Sequence, residues 1–118
     1  MSDDLTPATP PVDPTPAPAN PARGETSVTI GDLTLTLRPS YGALTSAEGE
    51  LGSLFKLVER AADGGIALAE LVALFWHCLH DAPATLTRAA FAEGIVAAGL
   101  AKATPVLGHL IRQILGGR

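Results

Sequence analysis

Ser27-Val28-Thr29-Ile30-Gly31-Asp32-Leu33-Thr34-Leu35-Thr36-Leu37 is the stretch on which the fold turns. Apolar and hydroxyl residues alternate on either side of Gly31-Asp32, the period of a half-buried strand. Two such runs joined by a two-residue turn predict a β-hairpin, and glycine in the first turn position suits type II′ or I′ geometry. Val28, Ile30, Leu33, Leu35 and Leu37 are expected to face a core, with Thr29, Thr34 and Thr36 outward. Pro39, lacking a backbone donor, ends the second strand. A lone hairpin is marginal in water, so its apolar face must rest on the rest of the chain.

Residues 40 to 118 have helical periodicity. Ser40 caps a first helix running to Leu51, with Leu44, Ala47 and Leu51 on one face and Gly52 as its stop. Ser53 caps a second that carries Leu54, Leu57, Val58 and Ala61, closed by Asp63-Gly64-Gly65. A third is expected from about Ala67 to His80. It is apolar nearly all round, which marks it as the most buried element. Beyond Pro83, Thr87 caps a fourth helix, and Leu86 with Phe91 has the spacing of a hydrophobic staple. That helix is expected to end near Gly99. Thr104-Pro105 then reads as an N-cap followed by an N1 proline, opening a last helix with Val106, Leu107, Leu110, Ile111, Ile114 and Leu115.

Upstream of the hairpin the composition changes. Residues 1–24 hold seven of the ten prolines and almost no large apolar side chains. Such a segment cannot offset its ordering entropy by burial, so a disordered Pro/Ala/Thr-rich tail is expected over 1–24. Residues 25–118 then form a single domain. The fold class expected is α+β, mainly α: an N-terminal β-hairpin packed on a compact bundle of about five short helices.

The same composition narrows the function. A chain of 118 residues has room for one domain, and with 47% hydrophobic but only 4% aromatic residues its core must be aliphatic. A net charge of −4 without basic clusters argues against a phosphate backbone as partner, and equally against a polybasic membrane anchor. The lone Cys78 cannot form an internal disulfide, which fits a reducing cytoplasm. The first residues, Met1-Ser2-Asp3-Asp4, are acidic where an export signal is basic. The most apolar run, Ile66 to Leu79, falls short of the roughly 20 residues a membrane span needs.

Catalytic and metal constellations are weak. In Trp76-His77-Cys78-Leu79-His80-Asp81, His77 and His80 lie three apart and His77 and Asp81 four apart, so these pairs are expected to share helix faces. No second ligand cluster completes a four-ligand site, however, and Cys78 points away from His77. Glu48 and Glu50 project from different faces, and no phosphate-cradling glycine motif occurs. The expectation is a protein that is not an enzyme, takes no cofactor, metal or small-molecule substrate, and works by presenting a surface to other proteins.

From Gly24 onward the order of elements resembles a known family. It is similar to the small protein encoded before the tape measure in tail gene clusters of gene transfer agents and related siphophages. The resemblance is carried by the hairpin of Ser27 to Leu37, Tyr41-Gly42-Ala43-Leu44 leading into Glu48-Gly49-Glu50-Leu51, and a Leu-rich helix with a Gly-bounded turn. It continues through the Glu70-Leu71-Val72-Ala73-Leu74-Phe75-Trp76 run, the Leu86 to Gly94 segment and the Leu/Ile-rich C-terminal helix. Proline at 105 departs from the pattern. The resemblance implies a tail assembly chaperone that binds and solubilises the tape measure protein, with the tail tube protein as a further candidate partner. It implies action in the cytoplasm of a bacterial host carrying such a prophage-like cluster. Family members are also labelled tail tube components, which implies a structural role in the virion as the alternative. A cytoplasmic adaptor unrelated to tails is the third reading. The candidate partner-binding residues are Leu107, Leu110, Ile111 and Ile114 on the last helix.

Overall fold

The structure, a computed structural model, describes residues 24–116. The expected tail therefore lies almost wholly outside the described residues, as do the last two. Strands β1 (Thr26–Ile30) and β2 (Leu33–Leu37) form the expected hairpin, in antiparallel register from Thr26↔Leu37 to Ile30↔Leu33. Gly31 has φ +59°, whereas Asp32 stays out of the positive-φ region, the type II′ pattern. Val28, Ile30, Leu35 and Leu37 are buried.

Five helices come next: α1 (Tyr41–Leu51), α2 (Leu54–Ala62), α3 (Leu68–Cys78), α4 (Arg88–Ala98) and α5 (Leu100–Gly116). Their starts obey local capping chemistry. Ser40, Ser53 and Thr87 each accept a hydrogen bond from a backbone N–H of the first turn, at 3.2, 3.4 and 3.1 Å. The α1–α2 junction is tied further by Glu48, whose Oε2 accepts from the Leu54 N–H at 3.1 Å. At α3 the cap is Ala67, and Glu70 Oε1 takes its N–H at 2.9 Å.

The core lies between the sheet and the five helices, each of which contributes to it. Leu35, Leu37, Leu57, Leu74, Phe75, Phe91, Ile95 and Leu110 are almost completely removed from solvent. Trp76 of α3 and Phe91 of α4 add a tilted ring contact, centroids 5.9 Å apart. The hairpin's apolar face thus rests on the helices, as its marginal stability alone requires.

Three expectations are corrected. The third helix stops at Cys78, and Leu79–His80 form a short strand, β3, antiparallel to β2 through Leu37↔Leu79 and Thr36↔His80. The Arg38 N–H donates to the Cys78 carbonyl at 2.7 Å and extends this pairing. The open edge of β2 competes for the donors and acceptors that another helical turn would use, so His77 and His80 do not share a helix face. Thr36, expected to point outward into water, is buried at 7% exposure beside this added strand.

The third correction concerns the last helix. It begins at Leu100, not at Thr104, and Pro105 lies in its interior. Gly99, at φ +102°, turns the chain so that α4 and α5 meet at 112° with no intervening loop. Burial of Ala103 in the first turn of α5 favours the earlier start. Thr104 Oγ1 donates back to the Leu100 carbonyl at 3.1 Å, one turn earlier. Among the described residues no single helix is long and apolar enough to cross a membrane.

Candidate partner-binding surface

Helix α5 carries four residues singled out as partner contacts, and the structure separates them by role. Leu107 is 7% exposed and Leu110 0%, so both sit in the core. Ile111 and Ile114 are half-buried and pack against that core from its rim. At about 100° per residue, Ala103, Leu107 and Leu110 form the inward stripe of α5. Leu100, Ile111 and Leu115 run along one flank of that stripe, Ile114 continues the stripe itself toward the C-terminal end, and Val106 and Gln113 run along the other flank. The first flank stays partly open, with Leu100 at 48% and Leu115 at 64% exposure. Val96 of α4 is also exposed, at 53%. Leu100 is invisible as part of this surface when the last helix is taken to start at Thr104.

Polar side chains elsewhere hold helices together. Glu50 of α1 pairs through Oε1 with His77 Nε2 of α3 at 2.9 Å, and accepts through Oε2 from Arg88 of α4 at 2.7 Å. The Arg88 bond first, and the His77 bond second, hold its carboxyl below the usual carboxylate range. Arg60 of α2 makes a bidentate pair with Glu70 of α3 at 2.8 and 2.7 Å. That pair, with the Ala67 N–H, lowers the Glu70 carboxyl to about 2.

The segment with the densest chemistry comes apart in three dimensions. His77 faces Glu50, while His80 on β3 lies 3.3 Å from Asp81. Cys78 is buried, and desolvation pushes its thiol up to about 12. A thiol so placed stays protonated at neutral pH. Among the described residues no three metal-ligating side chains converge. Glu48 and Glu50 serve different junctions and do not meet as an acid–base pair.

Two openings flank β1. One cleft of about 190 Å³ is bordered by Ser27–Ile30 and by Ile95, Ala98, Lys102, Ala103 and Val106. A second, of about 580 Å³, continues along Glu25–Ser27 and Pro105, Val106, His109, Arg112 and Gln113. Both are surfaces between an edge strand and the second flank of α5. The titratable side chains on the second are Glu25, His109 and Arg112.

Residues 23–117 match the model of a protein family described as phage tail tube protein, GTA-gp10. No curated protein and no solved structure matches the chain.

Proposed function

The chain belongs to the phage tail tube protein family GTA-gp10, and we propose that within it the protein acts as a tail assembly chaperone. In this reading it binds the tape measure protein and keeps it soluble until tube subunits take its place. The observation that carries the reading is the half-open flank of α5, Leu100, Ile111 and Leu115, with Ile114 at its inner border. A long helical partner presents apolar stripes, and an exposed helix flank backed by a rigid core covers such a stripe by side-by-side packing. The patch is modest and broken by solvent-exposed positions, which suits a contact that must be released. Leu107 and Leu110 support the flank from beneath rather than touching the partner.

Co-expression with the tape measure of the same gene cluster tests this. A soluble complex should co-purify, Leu100→Glu and Leu115→Glu should break it while preserving the helical circular dichroism, and purified particles should contain far less than stoichiometric amounts. The family's description favours a second reading, a tube component retained in the particle. Quantitative mass spectrometry finding many copies per particle would establish that reading and overturn the chaperone.

A further inference from the structure

Strand β1 lies at the edge of the sheet, whose order is β1-β2-β3. The register Ile30↔Leu33 across a two-residue turn directs the N–H and C=O groups of Val28 and Ile30 toward β2. Those of Ser27 and Thr29 consequently point the other way, into the clefts beside α5. Glu25 shares this parity, and its carbonyl accepts from Gln113 Nε2 of α5 at 2.8 Å. No described strand pairs with this edge. Natural edges are guarded by lysine, proline or a bulge, and Thr26-Ser27-Val28-Thr29-Ile30 has none of these.

The opposite wall is α5, running antiparallel to β1, with Gln113 beside Glu25 and Lys102 beside the Ile30 end. From Glu25 to Ile30 a strand advances ~17 Å, and from Lys102 to Gln113 a helix advances ~17 Å, so the two walls match in length. The Gln113 Oε1 atom is buried without a hydrogen-bond partner. A buried acceptor left unpaired costs free energy that a donor entering the groove would recover. Lys102 and Arg112 both border the groove, and neither makes an ion pair among the described residues. The Glu25 carboxylate on the facing wall is engaged by Arg38 at 3.1 Å.

We propose that this groove binds an extended, acidic segment of a partner protein, which adds to the sheet as a fourth strand along β1. Its backbone meets the outward N–H and C=O groups of Ser27 and Thr29, and one of its N–H groups donates to Gln113 Oε1. Alternate side chains rest on the half-buried Ala98 and Val106, and its carboxylates face Lys102 and Arg112. Main-chain pairing supplies affinity and the cationic helix wall selects charge. The groove lies on the flank of α5 opposite the apolar one described above, so this site stands or falls independently of the chaperone reading.

The test is an NMR titration of the full-length protein with a capped heptapeptide of alternating glutamate and valine, and with its lysine counterpart. The glutamate peptide should shift and protect the Ser27 and Thr29 amides, and the lysine peptide should bind at least about tenfold more weakly. Ser27→Pro removes an N–H that the hairpin ladder does not use, and it should weaken binding at least about tenfold while leaving the Val28 and Leu35 resonances in place. Lys102→Glu with Arg112→Glu, both on exposed positions, should reverse the charge preference. Unshifted Ser27 and Thr29 amides, equal binding of both peptides, or indifference to both sets of substitutions would overturn the proposal. So would protection of these amides in the free protein: if independent of concentration, the occupant is another segment of this chain, and if rising with concentration, it is a second copy.

Discussion

Glu70 shows how much one side chain can do at a surface. It accepts the Ala67 N–H that opens α3 and holds Arg60 of α2 through both oxygens. Its carboxyl is lowered from an ordinary 4.5 to about 2, so its contribution is fully present above pH 4.5 and is lost as pH falls toward 2. Glu70→Gln keeps an acceptor for Ala67 but loses the charge. Its melting temperature should lie below that of the parent at neutral pH, with the gap closing as pH falls through that window. A gap unchanged by acid would mean that the Arg60 pair is not its source. Gly94 makes a second case at this scale. A Cβ added there would stand 3.0 Å from both Cβ and Cδ1 of Ile30 on β1. Gly94→Ala should therefore cost about 1–3 kcal/mol despite alanine's better helix propensity. Ile30→Val removes one of the two clashing atoms, so the double variant should recover part of the loss in a denaturant melt.

At the scale of elements, α5 is the informative one. Pro105 sits inside it, where proline withholds the N–H due to the Ala101 carbonyl and crowds the preceding turn. The helix persists because Ala103, Leu107 and Leu110 anchor it in the core on both sides of that position. Pro105→Ala should raise stability by about 2 kcal/mol, the interior penalty of proline less its restriction of the unfolded chain. Chemical denaturation of the two proteins measures this directly, and a drop in stability would show that the proline is needed to shape the α4–α5 corner. The element also explains why one helix offers two surfaces. Its inward stripe is narrow, so an apolar flank and a polar, cationic flank are both left at its borders.

For the molecule as a whole, charge distribution separates the surfaces. The apolar flank of α5 has no ion pair to screen, and binding of a helical partner there should change little between about 0.05 and 0.5 M salt. Isothermal titration with the tape measure at both concentrations checks this. A steep loss of affinity at high salt would move the contact away from that flank. An acidic strand in the β1 groove should behave in the opposite way and weaken as salt screens Lys102 and Arg112. Family membership places the protein among phage or gene transfer agent tail proteins.

By itself the sequence determined what depends on chain neighbours. Alternation around Gly31-Asp32 specifies the hairpin and its register, and Ser40, Ser53 and Thr87 specify three helix starts, because turn and cap hydrogen bonds close within a few residues. The apolar periodicity of α3 identifies the buried helix and Phe75 at its centre. Of the surface, the Leu/Ile content of the last helix was legible, and its division into core and flank was not. Tertiary structure decided the rest. Whether Leu79–His80 continue a helix or join a sheet depends on the open edge of β2, more than forty residues earlier in the chain. Whether α5 can start before Pro105 depends on a core that holds Ala103 and Leu107 in place. The partnership of Glu25 with Gln113, 88 residues apart, leaves no local trace at all. Interactions of this kind are set by packing between distant segments, and a pattern that repeats every two or four residues carries no information about them.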